Sequence, residues 1–215
     1  VARNRDWLNG DVLFAAAFRT APHNLRIRGL LATGATNRQN YDRVIELLDG
    51  YLPRRTRDAT IPRNLGYAFY QKGRTNRGLR LIRKAMRIDP SWKQPYEDLG
   101  RHAVRTGRHA EAAGWFARAV ARAPLEPAGW LNLALAYGDA GDQNSALRAA
   151  RFAHKLEPTD TNTLRTLVRL SWLRQDWTLC EKYLRKMLAA DPGNAYSRRW
   201  LRQLEKQRDA ERQIE

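Results

Sequence analysis

Four prolines recur at a fixed step. Pro90, Pro124, Pro158 and Pro192 are evenly spaced: 124 − 90, 158 − 124 and 192 − 158 all give 34. A constant period of this length marks a chain built from stacked, self-similar units. Other positions keep the same phase: Leu65, Leu99, Leu133 and Leu167; then Gly66, Gly100, Ala134 and Val168; then Gly78, Ala112, Ala146 and Cys180. Ile82, Phe116, Ala150 and Leu184 follow, and then Ala85, Ala119, Ala153 and Met187. The pattern has a physical reading. Small residues let the backbones of two antiparallel helices approach. The bulky ones fill the space to the next pair. Gly73, Gly107 and Gly141 supply the left-handed turn between helices, and each proline stops the second helix.

This pattern resembles the tetratricopeptide repeat (TPR), most fully in Trp130, Leu133, Ala134, Tyr137, Ala146, Ala153 and Pro158. The resemblance implies an all-α fold, a right-handed α-solenoid of stacked TPR helix pairs closed by a C-terminal capping helix. The organisation expected is a degenerate half-repeat and repeat over 1–58, then regular repeats at 59–92, 93–126, 127–160 and 161–194. A capping helix and charged tail follow over 195–215, with fraying past Lys206. In 1–58 the expectation is a helix over Trp7 to Arg19, a short helix around Ile27, Leu30 and Leu31, and a break at residues 32–37. A stripe of Tyr41, Val44, Ile45, Leu47, Leu48 and Tyr51 comes next, before Pro53. The basic loop with Arg54, Arg55 and Arg57 is expected to put the repeat phase out of step.

Composition restricts function more by charge than by chemistry. With 39 Lys and Arg against 22 Asp and Glu, the formal charge is +17, which attracts anionic partners without specifying them. The longest apolar run, Leu13 to Phe18, is far below the ~20 residues of a membrane span. The chain opens on Val1 rather than Met, as a processed form or an excised domain would. Cys180 sits at a small-residue core position. His23, His102, His109 and His154 are scattered, and no HExxH, CxxC or phosphate-binding glycine loop is present. The stretch 73–78 (GRTNRG) is a helix–helix turn with no strand before it. Catalytic residues, metal ligands and cofactors are therefore expected to be none, and the protein is not expected to be an enzyme.

The repeat resemblance implies a ligand groove lined by the first helix of each pair. Its positions are Arg63, Asn64, Tyr67 and Tyr70, then Arg101 and Arg105, then Asn132, then Arg165, Arg169 and Trp172. Arginine forks grip carboxylates or phosphates, and aromatics add flat contact area. The expected partner is a protein or peptide with acidic or carboxylate-rich segments. Asn64 and Asn132 match the amide position of a chaperone-tail clamp, but its lysines are missing. A second basic stripe, Arg77, Arg80, Arg83, Lys84 and Arg87, is expected on the convex side. It lacks interleaved aromatics, so specific nucleic-acid recognition is not expected, and nonspecific binding through charge is the second alternative.

ArgAsnArgAspTrp at 3–7, LeuPhe at 13–14 and AlaProHisAsn at 21–24 resemble the junction into the repeats of TPR-bearing O-mannosyltransferase-like membrane glycosyltransferases. This resemblance implies the extracytoplasmic tail of such an enzyme, or of a polysaccharide-export system, holding acceptor or partner proteins. Membrane association would then come from a missing upstream region or from anionic lipid. Without it, a cytoplasmic scaffold is the expectation.

Overall fold

The computed structural model describes residues 10–53 and 56–212. Among them are twelve helices and no strand. By contacts the chain divides into two compact units, Val1–Leu99 and Gly100–Glu215.

The first unit holds α1 (Gly10–Thr20), α2 (Leu25–Asn37), α3 (Tyr41–Leu48), α4 (Thr60–Gln71), α5 (Thr75–Ile88) and the start of α6 (Gln94–Arg105). Val44, Leu47 and Leu48 from α3 meet Ile61, Leu65 and Phe69 from α4 in its core. Helices α4 and α5 cross at glycine. A Cβ on Gly66 would lie 2.8 Å from the Gly78 carbonyl oxygen, and one on Gly78 would lie 2.6 Å from that of Gly66. Any larger residue would push the two backbones apart.

Residues 32–37, expected to break the helix, are its last two turns. Ala32 and Ala35 are buried, and the Thr33 and Thr36 hydroxyls donate back to the carbonyls of Gly29 and Ala32. Burial of one face overrides the weak helix propensity of Gly and Thr. The turn comes instead at Gln39, with φ +58. Gly73, Gly107, Gly141 and Gln175 take the same left-handed conformation, so the turns fall at 39, 73, 107, 141 and 175. The repeat phase therefore runs unbroken through the basic loop, contrary to the expected slip. Residues 1–9, 54, 55 and 213–215 lie outside the described residues. So do the motif at 3–7, the expected start of α1 at Trp7, and the loop residues Arg54 and Arg55.

The second unit contains the rest of α6, then α7 (His109–Val120), α8 (Pro127–Asp139), α9 (Gln143–Leu156), α10 (Thr161–Leu173), α11 (Trp177–Ala190) and α12 (Ala195–Arg212). Phe116, Leu133, Leu164, Leu167, Leu170 and Leu184 anchor its core. Helix starts are fixed by aspartate. Asp142, Asp160 and Asp176 accept from the backbone N–H of Ser145, Thr163 and Leu179, satisfying donors that the first turn leaves orphaned. Helix α12 continues through Arg212 rather than fraying at Lys206.

The recurring prolines have a second use in both units. Tyr96 Oη donates to the Pro90 carbonyl at 3.1 Å, and Trp130 Nε1 to that of Pro124 at 2.8 Å. Each aromatic thus pins the turn that precedes its own helix.

Candidate ligand-binding surfaces

In the first unit, the four groove-numbered residues of α4 make internal ties. Arg63 forks onto Asp98, with Nε donating to Oδ2 at 2.7 Å and a terminal nitrogen to Oδ1 at 3.0 Å. The Asp98 side chain is 1% exposed and that of Arg63 is 14% exposed. The same guanidinium lies 4.9 Å from the Tyr67 ring centre and 6.0 Å from that of Trp92. Asn64 is buried and donates to the Thr33 hydroxyl at 2.9 Å. Tyr67 meets Tyr41 edge-on at 5.9 Å. Tyr70 is buried.

The basic stripe of α5 turns out to border a cavity. Arg77, Arg80, Lys84 and Arg87 line it together with Asp49, Gly50, Leu52, Leu65 and Leu81, around a solvent-open space of about 550 Å³. Arg83 is exposed on the same helix and does not line that cavity.

In the second unit, four of the groove-numbered residues come together. Arg101 and Arg105 from α6, Asn132 and Asp139 from α8 and Arg169 from α10 line a pocket of about 350 Å³. Val104, Phe116, Leu135 and Ala136 form apolar walls. Arg169 approaches Asp139 at 3.7 Å with both side chains well exposed, a weak pair in high dielectric. Arg165 and Trp172 go elsewhere. The Arg165 guanidinium sits 4.6 Å from the Tyr196 ring centre. Burial pushes the Tyr196 phenol up, while the Arg165 charge and hydrogen bond oppose that shift. Trp172 packs edge-on against Trp177 at 5.1 Å and Trp200 at 4.7 Å.

The apolar walls were not singled out from the sequence. Val104 and Leu135 each fall three residues from a groove arginine or asparagine on the same helix, which was the available signal. A smaller apolar feature was also missed: Phe152, 52% exposed, stacks on Trp130 at 4.8 Å with planes 16° apart.

Cys180 is fully buried, and burial pushes its thiol up to about 11. Its place is in the core. Among the described residues no group of three His, Cys, Asp or Glu could hold a metal ion. None of the described helices is long and apolar enough to cross a membrane.

No protein-family model and no curated protein matches the sequence. Solved structures do match. The MamA protein of Desulfovibrio magneticus RS-1 is similar over 80% of this chain and 97% of its own, at 15% identity and a TM-score of 0.68. YrrB, described as a TPR protein with an unusual peptide-binding site, is similar over 88% of this chain and 97% of its own, at 14% identity and a TM-score of 0.70. A further MamA structure covers 73% of this chain and 92% of its own, at 17% identity and a TM-score of 0.61. With the helix pairs, the evenly spaced turns and these likenesses together, the chain has the all-α solenoid fold of tetratricopeptide-repeat proteins.

Proposed function

We propose that the chain is a non-enzymatic scaffold that binds a protein or peptide, and that the pocket of α6, α8 and α10 is its ligand site. The observation that carries this reading is the composition of that pocket. Three arginines and an asparagine surround apolar walls. Such a lining suits an extended segment that alternates carboxylates with an apolar side chain. Guanidinium forks take the carboxylates, and Phe116, Leu135 and Val104 take the apolar group. The fold shared with YrrB, a protein described as having a peptide-binding site, supports the class of partner.

Fluorescence anisotropy with a labelled Glu-rich peptide carrying one Leu or Phe tests this. Arg101→Ala with Arg105→Ala should weaken binding by about a hundredfold or more, since each charge-assisted contact contributes about 1.5–3 kcal/mol and the variant removes two. The control is Arg199→Ala with Arg202→Ala, which removes equal charge from exposed positions on α12. If the control weakens binding equally, the attraction is diffuse and the pocket is not the site.

A further inference from the structure

The cavity beside α5 has an origin in the chain count. Tyr41 to Ala59 and Thr75 to Lys93 are stretches of equal length, offset by one repeat period. The first stretch starts with α3, helical for 8 residues, and the second with α5, helical for 14. Helix α3 is thus shorter than its counterpart by 14 − 8 = 6 positions, or about 9 Å of helix. The local chemistry explains the early stop. Asp49 is extended, Gly50 has φ +82, and Pro53 follows with no N–H to give. Arg28, itself buried, donates to the Leu47 carbonyl at 2.7 Å and lies over the Tyr51 ring at 3.3 Å. The shortened end is therefore satisfied rather than frayed.

The residues that leave the helix, Asp49, Gly50 and Leu52, form one wall of the cavity. The opposite wall is α5. Arg77, Arg80, Lys84 and Arg87 follow i, i+3, i+7, i+10 and so share one helix face. Asp49 is the one carboxylate among the described lining residues and pairs with Arg77 at 2.6 Å. Lys84 donates to the Pro53 carbonyl at 3.0 Å, which ties the loop to α5. Among the described lining residues, four cations and one anion leave a formal charge of 4 − 1 = +3 around about 550 Å³, a volume in the range of small-molecule sites.

We propose that this cavity binds a compact ligand carrying several phosphate groups. Successive cations rise along α5 by about 4.5, 6 and 4.5 Å, close enough for one compact ligand with several anionic groups to meet more than one of them. A single carboxylate would neutralise one of the three net charges. Several phosphates neutralise them all and present oxygens on every side to the guanidinium forks. No described lining residue is aromatic, so the cavity offers no stacking platform for the bases of a single strand. The apolar lining residues Leu52, Leu65 and Leu81 lower the local dielectric and so strengthen the field of the basic wall.

Calorimetry on the whole chain with inorganic tripolyphosphate tests the site. The wild type should bind in the micromolar range, and Arg80→Ala with Arg87→Ala should weaken it at least about tenfold. Asp49→Asn should tighten binding several-fold, because it releases Arg77 and removes the opposing charge. Arg199→Ala with Arg202→Ala should stay within about twofold of the wild type. A second arm uses phosphatidylcholine vesicles with and without phosphatidylinositol bisphosphate. Vesicle binding that needs the phosphorylated lipid, is competed by tripolyphosphate and is lost in the Arg80/Arg87 variant identifies a lipid headgroup as the occupant. Tripolyphosphate binding alone identifies a free phosphate compound. Absence of binding in both arms overturns the proposal, as does equal loss in the α12 control or an Arg80/Arg87 variant that binds like the wild type.

Discussion

Arg63 and Asp98 offer a direct measure of what holds the first unit together. They come from α4 and α6 and are joined by two charge-assisted hydrogen bonds at 2.7 and 3.0 Å. Asp98 is 1% exposed in its side chain and Arg63 is 14% exposed, so solvent screening of the pair is slight. Arg63→Ala removes both bonds and leaves a desolvated carboxylate. Breaking a buried pair from one side costs about 3–5 kcal/mol, and partial exposure of Arg63 places this case near the lower end, at about 3 kcal/mol. Asp98→Ala should cost a similar amount by desolvating the guanidinium. The double variant removes both charges together and should cost little more than either single one. The coupling energy is then about 2–3 kcal/mol, read as the non-additive part of the cycle. Equilibrium urea denaturation, followed by circular dichroism and by tryptophan fluorescence, gives all four stabilities. Losses that simply add, with coupling no larger than the ~0.5 kcal/mol scatter of independent sites, would refute the reading that this fork is an internal structural tie. Arg63 would then be available to a ligand.

Three further outcomes are expected. Gly66→Ala should destabilise by about 1–3 kcal/mol despite its better helix propensity, because its Cβ would meet the Gly78 backbone at 2.8 Å; a denaturation midpoint at or above the wild type would contradict that packing. Gln175→Gly should raise the denaturation midpoint by the equivalent of about 1 kcal/mol, since Gln175 holds φ +57 where a side chain is strained. His154, lowered by burial and then by the charges of Lys186 and Lys182, should titrate below 6.5 in an NMR pH series. Its contribution to stability is therefore present above the unfolded histidine value near 6.5 and is lost as pH falls through the lower folded value. Lys186→Ala should move the midpoint up, and no movement would remove Lys186 as a cause.

The sequence by itself determined the helix pairs, their turns and their crossings. A periodic recurrence of small, bulky and turn residues is a local code: each helix needs one apolar face, one crossing glycine or alanine, and one left-handed turn. Gly73, Gly107 and Gly141 were legible for this reason. Gln39 was not, because a glutamine carries no turn signal and only its register with Gly73 gives it away. Residues 32–37 were misjudged for the complementary reason: Gly and Thr read as a break until Ala32 and Ala35 find a core to face. The tertiary structure alone decided the fate of the charged and polar residues. Helical periodicity says that Arg63, Arg101 and Arg169 point away from their own core. It does not say that Asp98 arrives to hold the first, while the other two share a pocket with Asn132. Nor does it say that Arg28 caps a shortened helix, or that this shortening opens a space along a row of four cations. Those outcomes depend on which side chains meet across helices of different repeats, and periodicity within a helix carries no information about that pairing.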